Sequence, residues 1–198
     1  MEWLLKKLNN GEDLNIVGFY GSYLYTEKER AFSMFYNTLI NIDLSDGTRL
    51  TFNSAGQYFI YMKAKFFNDK QAERIIMENG LKPTDYKRIS KKIKNYDSNK
   101  WNELSDKLMY EAVYQKFKQN GRLKQQLLET TDAVLVETSS NDLKWGSGLG
   151  KYQKNHKINP LWDNPDRWKG ENRLGFIIMQ VRDRIKQEEA LKELNNID

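Results

Sequence analysis

From Ser54 onward the apolar residues of this chain stop alternating and begin to wrap. Phe59, Ile60, Met62, Ala64, Phe66 and Phe67 cover most of a helix's circumference. A helix apolar on most sides has to be buried, and Ser54 is a suitable N-cap for it. Just before it the period is two: residues 39–44 alternate, Ser45-Asp46-Gly47 supplies a turn, and residues 48–52 return. That pattern predicts an antiparallel hairpin, with Gly47 tolerating the positive φ of the turn. Strand signals beside strong helical ones place the chain in the α+β class, a small antiparallel sheet packed with several helices.

The remaining segments follow the same logic. Residues 1–13 read as a short helix or arm ending at Asn9-Asn10-Gly11, residues 14–20 as a strand, and residues 21–30 as a polar loop. A helix is expected over 71–79, stopped by Gly80, and another in part of 82–100 with Thr84 as its candidate N-cap. Residues 101–119 form the clearest amphipathic helix, with Trp101, Leu104, Leu108, Ala112, Val113 and Phe117 on one stripe. A further turn or two starts at Arg122, residues 133–137 make a strand, and a last helix runs over about 172–194. Between them, residues 139–171 carry three of the five tryptophans. Connections longer than ~12–15 residues are usually functional or disordered. Tryptophan suits a disordered tail poorly, so this one is expected to be an ordered, site-forming loop. No repeat or linker interrupts the chain, which reads as a single domain, 1–198.

Composition removes several chemistries. The chain has no cysteine, which excludes disulfides, thiolate metal sites and a cysteine nucleophile. His156 is the sole histidine, so two-histidine metal motifs are absent and no dedicated metal site is expected. It lies in a Lys- and Asn-rich loop without a nucleophile elbow, as a surface histidine would. Gly146-Ser147-Gly148-Leu149-Gly150-Lys151 is neither a Walker loop nor a dinucleotide fingerprint, because no Ser/Thr follows Lys151 and no βαβ unit surrounds it. A mere loop and backbone amides facing a ligand both stay open there. No stretch approaches the ~18 apolar residues of a membrane span. Residues 1–8 are too short and charged for a secretory signal, so no membrane partner and a cytoplasmic location are expected.

Thirty-two Lys+Arg against 27 Asp+Glu give a net charge of +5, a mild excess. Seven of the basic residues fall within 82–100, with Tyr86 and Tyr96 interleaved. Such a segment is either a solvated face or a surface for phosphate groups.

Several blocks, in order, then carry a resemblance. They are Phe32-Ser33-Met34-Phe35-Tyr36, and Ser54-Ala55-Gly56-Gln57-Tyr58-Phe59-Ile60-Tyr61-Met62-Lys63-Ala64. Trp101 follows with Met109, Ala112, Lys116, Phe117 and Asn120, then Asn141-Asp142 and Trp145-Gly146-Ser147-Gly148. Trp168-Lys169-Gly170-Glu171-Asn172-Arg173-Leu174-Gly175 and Met179-Gln180-Val181-Arg182 complete the set. From about residue 15 to 185 the chain resembles the NADAR superfamily. The resemblance implies an α+β domain that cleaves or binds N-glycosidic linkages to a ribose phosphate. Family activities include hydrolysis of phosphoribosylamino-pyrimidine intermediates of riboflavin synthesis and removal of ADP-ribose from guanine in nucleic acid. The implied partner is a phosphate-bearing nucleotide or sugar phosphate, with modified nucleic acid as a second candidate. No cofactor is demanded, since water completes the hydrolysis. The implied catalytic residues are Lys63 and Asp142, and the implied ligand-binding residues are Tyr20, Gln57, Trp101, Trp145, Gly146 and Asn172.

The chemistry of such a site follows from the residue types. Breaking an N-glycosidic bond builds positive charge on the anomeric carbon, which a nearby carboxylate stabilises. Asp142 is the first candidate and Glu137 the second. A lysine in an apolar helix has its ammonium disfavoured by desolvation, which frees an amine to form an imine with the opened ribose. The alternative for Lys63 is a side chain whose head reaches water. Trp101 and Trp145 offer faces for stacking a base, or serve as core, and Asn172 is a cap, a ligand contact or both. Two positions depart from the family: Gly56 stands where a glutamate is usual and Met34 where an asparagine is. A lost acid or base is worth about 10²–10⁴-fold in rate. An N-glycosidase and a non-catalytic nucleotide or ADP-ribose binder therefore both stay open.

Overall fold

The computed structural model describes residues 2–195; Met1 and residues 196–198, the ends of the expected 1–198 domain, lie outside the described residues. In chain order the elements are α1 (Glu2–Asn9), β1 (Ile16–Phe19), α2 (Glu27–Arg30), β2 (Ile40–Asp43), β3 (Arg49–Phe52), α3 (Ala55–Phe66) and α4 (Lys70–Ile76). Then come α5 (Pro83–Ser90), α6 (Ser98–Lys118), α7 (Gly121–Leu128), β4 (Val134–Glu137), a 3-10 turn (Pro165–Arg167) and α8 (Arg173–Asn195). The class is α+β. Two compact units divide the chain: Met34–Gly121, and the residues up to Ser33 together with those from Arg122 onward. No helix among the described residues is long and apolar enough to cross a membrane.

In Met34–Gly121 the expected hairpin forms, β2 pairing antiparallel with β3 in the register Ile40↔Phe52 and Ile42↔Leu50. Ile40, Ile42 and Phe52 are buried, while Asn41 and Asp43 face out. Ser54 caps α3, its Oγ accepting from Gln57 N at 3.1 Å. The helix packs against α4, α5 and α6, which explains why it is apolar on most sides. The expected Thr84 cap does not occur: Lys82 is the N-cap and Pro83 the first helical residue. Proline's fixed φ and missing N–H suit that position, and Asp85 accepts from Lys82 N at 2.9 Å. In α6, capped by Asp97, the buried stripe runs through Trp101, Ser105, Met109, Ala112 and Lys116. Of the stripe read from the sequence, Trp101, Ala112, Val113 and Phe117 are buried, while Leu104 and Leu108 are half-buried beside the buried Ser105 and Met109.

The other unit holds what local pattern does not reveal. β1 and β4 pair in parallel, Ile16↔Val134 through Phe19↔Glu137, so the strands form one antiparallel and one parallel pair. All of β4 is buried. α8 crosses it so closely that a Cβ on Gly175 would lie 2.0 Å from the Leu135 carbonyl oxygen. The expected polar loop of residues 21–30 contains a one-turn helix, α2, closed by a capping box between Thr26 and Glu29.

Candidate functional site

Lys63 lies on α3 and is only 9% exposed. Its Nζ donates to the carbonyl of Ser90 at 3.0 Å and lies 3.3 Å from Ser90 Oγ. Ser90 ends α5, where carbonyls lack helical partners, so the ammonium caps that helix. The ring of Tyr96 covers Nζ at 4.2 Å from its centroid, and Trp101 stands at 5.7 Å. Trp101 is 6% exposed and packs on Phe59, Phe66 and Phe67. Burial in this aromatic setting pulls the Lys63 amine down to about 8. Lys63 and Trp101 are therefore brought together, with Trp101 as a wall and the half-exposed Tyr96 as the accessible ring.

Gln57 lies on the same helix with both ends of its amide engaged by backbone. Oε1 accepts from Asn53 N at 2.6 Å and Nε2 donates to Ile76 O at 2.8 Å, tying the β3–α3 junction to α4. Gly56 and Lys63 are seven residues apart, about two turns, and so share a face of α3. A Cβ at Gly56 would fall 2.6 Å from the ring of Phe35, which itself stacks on Tyr86 at 6.0 Å and 12°. No gap lies beside Gly56: a phenyl ring rests on the helix where the resemblance leads a carboxylate to be expected.

The remaining expected residues belong to the other unit. Asp142 Oδ1 accepts from Lys144 N at 3.1 Å and Trp145 N at 2.8 Å, which fixes the carboxylate at the head of the loop. Trp145 is half-buried, with Lys144 Nζ 5.0 Å from its ring centroid. Gly146 is buried; a Cβ there would lie 3.0 Å from the carbonyl oxygens of Asp142 and Glu137. Glu137 is buried at the end of β4, its N–H donating to Asn172 Oδ1 at 3.0 Å and its carbonyl accepting from Ser147 N at 2.8 Å. Asn172 is fully buried with φ +49, and its Nδ2 donates to Leu135 O at 2.9 Å. Its amide reads the open edge of β4 as a further strand would. The loop is ordered as expected, sewn to itself by bonds such as Lys169 N and Gly170 N to Ser147 O, each 2.9 Å. Tyr20, half-buried after β1, meets Tyr25 edge-on at 6.1 Å.

A second cluster in this unit escapes the sequence reading. Lys151 pairs with Glu29 and lies 5.1–5.7 Å from the ring centroids of Trp162, Tyr25 and Tyr152. Burial pushes Glu29 up, but hydrogen bonds from Lys151 and Thr26 outweigh it and hold the carboxyl below its usual range. Tyr25 OH bonds Thr138 Oγ1 at 2.6 Å, and burial pushes its phenol up to about 12 against that bond. The Trp162 ring rests on β1, where a Cβ on Gly18 would meet it at 2.4 Å. Thr26 and Glu29 carry a readable capping signal; Tyr25, Thr138 and Trp162 have no local one. His156 is exposed, its Nε2 3.4 Å from Tyr23 OH. Among the described residues no group of three or more His, Asp or Glu side chains is placed to hold a metal ion.

Comparison with known proteins places the sequence and the fold. N-glycosidase R617 of Acanthamoeba polyphaga mimivirus is 33% identical over 134 residues, 68% of this chain and 75% of that protein. Protein irg-1 of Caenorhabditis elegans is 32% identical over 146 residues, 72% of this chain and 65% of its own length, so the match leaves over a third of that relative unaligned. N-glycosidase YbiA of Escherichia coli is 32% identical over 85 residues, 42% of its length. The NMR structure of YbiA superposes with a TM-score of 0.65 at 26% identity, covering 90% of this chain and 89% of the other. The family model of the NADAR domain matches residues 19–186, and the chain belongs to the NADAR domain family.

Proposed function

We propose that the chain is an N-glycosidase hydrolysing ADP-ribosyl or phosphoribosyl compounds, with Lys63 as nucleophile and Asp142 as the stabilising carboxylate. The observation that carries this reading is the setting of Lys63: an amine held near 8 by burial, among aromatic rings, with no carboxylate paired to it among the described residues. The names of R617 and YbiA support the reaction class.

In this mechanism the C1′–N bond breaks with its electron pair going to the base nitrogen, which takes a proton. The neutral Nζ bonds to C1′. Opening of the sugar, with the ring oxygen protonated, leaves a protonated C1′=Nζ imine. Water adds to C1′, the C1′–Nζ bond breaks, and the amine is restored, so the net change is one water consumed per base released. Trp145 and Tyr20 are assigned to ligand contacts in their unit, and Trp101 to the wall beside Lys63 in the other. Gln57 and Asn172 act through the backbone segments they hold, and Gly146 through its backbone. The ligand carries phosphate. Lys87, Lys91 and Lys92 are exposed and pair with no carboxylate among the described residues, which supports a nucleic-acid form of the substrate.

A second reading, a binder without turnover, is favoured by Phe35 filling the place beside Gly56. Incubation with ADP-ribosylated guanosine and with phosphoribosylamino-pyrimidine, followed by chromatography, decides between them. Released base establishes the glycosidase; saturable binding with every ligand recovered intact establishes the binder.

A further inference from the structure

Nζ of Lys63 is covered by three groups. Two of its directions are taken by the Ser90 carbonyl and hydroxyl, and the Tyr96 ring lies across the next at 4.2 Å. A productive approach brings the reacting carbon to roughly 3–3.5 Å from the amine. The ring occupies that space. Of the groups around Nζ, Ser90 is fixed in α5 and Trp101 in the first turn of α6, whereas Tyr96 is 47% exposed and stands between the two helices.

The backbone beside it is pinned. Ile93 is buried, Lys94 N donates to Asp69 Oδ2 at 2.9 Å, and Asn95, at φ +56, reaches the Phe67 carbonyl through Nδ2 at 3.5 Å. Among the described residues the ring pairs with the ammonium and with the edge of Phe67, 5.3 Å away. A fixed backbone carrying a lightly held, half-exposed ring allows the side chain to turn without the loop moving.

We propose that Tyr96 is a side-chain gate on Lys63, closed over the amine in the free protein and turned aside when the sugar's anomeric carbon enters. The proposal rests on Lys63 being the nucleophile, and Tyr96 acts through it as a positioning residue. Closed, the ring keeps water from the amine and favours its neutral form through desolvation, while its π face partly offsets this by attracting the ammonium. No carboxylate on the neighbouring elements pairs with Nζ among the described residues. Glu73 of α4 is paired with Lys70, Asp85 of α5 with Arg88, and Asp97 at the start of α6 with Lys100, while Glu111 of α6 bonds Gln115. Lys87 of α5 lies over Phe35.

The test needs no substrate. Pyridoxal 5′-phosphate forms an imine with a neutral lysine amine, releasing water, and cyanoborohydride fixes it as a secondary amine that peptide mass spectrometry locates. Labelling of Lys63 is followed against pH in the full chain, with exposed Lys154 and Lys157 as internal controls. Tyr96→Phe is expected to label as the parent does. Tyr96→Ala is expected to label Lys63 about tenfold faster at high pH, a closed-gate preference of about 1.4 kcal/mol. Its half-maximal pH is expected to move upward from about 8 as water reaches the amine. Tyr96→Thr gives the same direction should the alanine variant unfold. Rates within about twofold of the parent in the folded variants overturn the gate. Unchanged labelling in a chain that still releases base overturns the gate alone. Faster labelling in a chain that releases no base from any substrate keeps the gate and overturns the glycosidase.

Discussion

Lys63 and Asn172 are both buried polar residues, and their surroundings separate their roles. The Asn172 amide is engaged at both ends by β4. Asn172→Ala is expected to cost about 2–4 kcal/mol in chemical denaturation, since it orphans the Glu137 N–H and the Leu135 carbonyl. Asn172→Gly, which accepts the positive φ without strain, is expected to recover little of that; full recovery would mean the turn alone matters. Among the described residues Lys63 has a carbonyl, a hydroxyl and two rings but no carboxylate, so its protonation answers to burial. With the amine lowered to about 8, the nucleophilic form grows as pH rises, and kcat/KM is expected to climb through that value and level off above it. A profile flat from pH 6 to 10 would remove Lys63 from the chemistry. The sequence shows an amide at a helix start and a lysine in an apolar helix. It does not show that Asn172 meets a strand 35 residues earlier, nor that Lys63 meets the end of another helix.

At the scale of elements, α3 shows how one residue choice propagates. Only a residue without a side chain lets Phe35 lie on its first turn and stack on Tyr86 of α5. Gly56→Glu is therefore expected to displace that ring and destabilise the protein by about 1–3 kcal/mol rather than simply restore a carboxylate. Combined with Phe35→Ala, the two changes are expected to be non-additive in urea denaturation, because the second removes the clash. Strict additivity would mean the ring and the glycine do not sense each other. Gly175→Ala is expected to cost more still, because its Cβ meets the Leu135 carbonyl at 2.0 Å and the Asn172 amide, itself held on β4, at 2.6 Å. The start of α3 and the hairpin were readable because caps, turns and periodicity are local: Ser54 and the Asp46-Gly47 turn act where they stand. The β1–β4 pair was not. Parallel pairing places no mark on either four-residue strand, since its partner is supplied by the rest of the chain.

The chain leaves the first unit at Ser33 and returns to it at Arg122, so neither unit is a terminal piece that can be cut away with one break. We propose that the whole unfolds as one domain. Calorimetry is expected to give one transition with equal calorimetric and van't Hoff enthalpies, and two resolved transitions would refute this. Each unit also contains a tyrosine whose phenol burial pushes up to about 12, Tyr25 in one and Tyr58 in the other. A raised phenol is neutral in the folded chain while the unfolded chain already ionises. Their stabilisation is thus complete below about pH 10 and lost as pH rises through 12. Tyr25→Phe is expected to flatten that alkaline loss, and an unchanged slope would mean the phenol titrates normally. The reaction itself is tested most directly by trapping. ADP-ribose, whose sugar opens to an aldehyde, is mixed with the full chain and cyanoborohydride, and the product is mapped by mass spectrometry. One adduct on Lys63, absent from Lys63→Met, is the expected result. Adducts scattered over exposed lysines and unaffected by Lys63→Met would contradict the imine and the role given to Lys63.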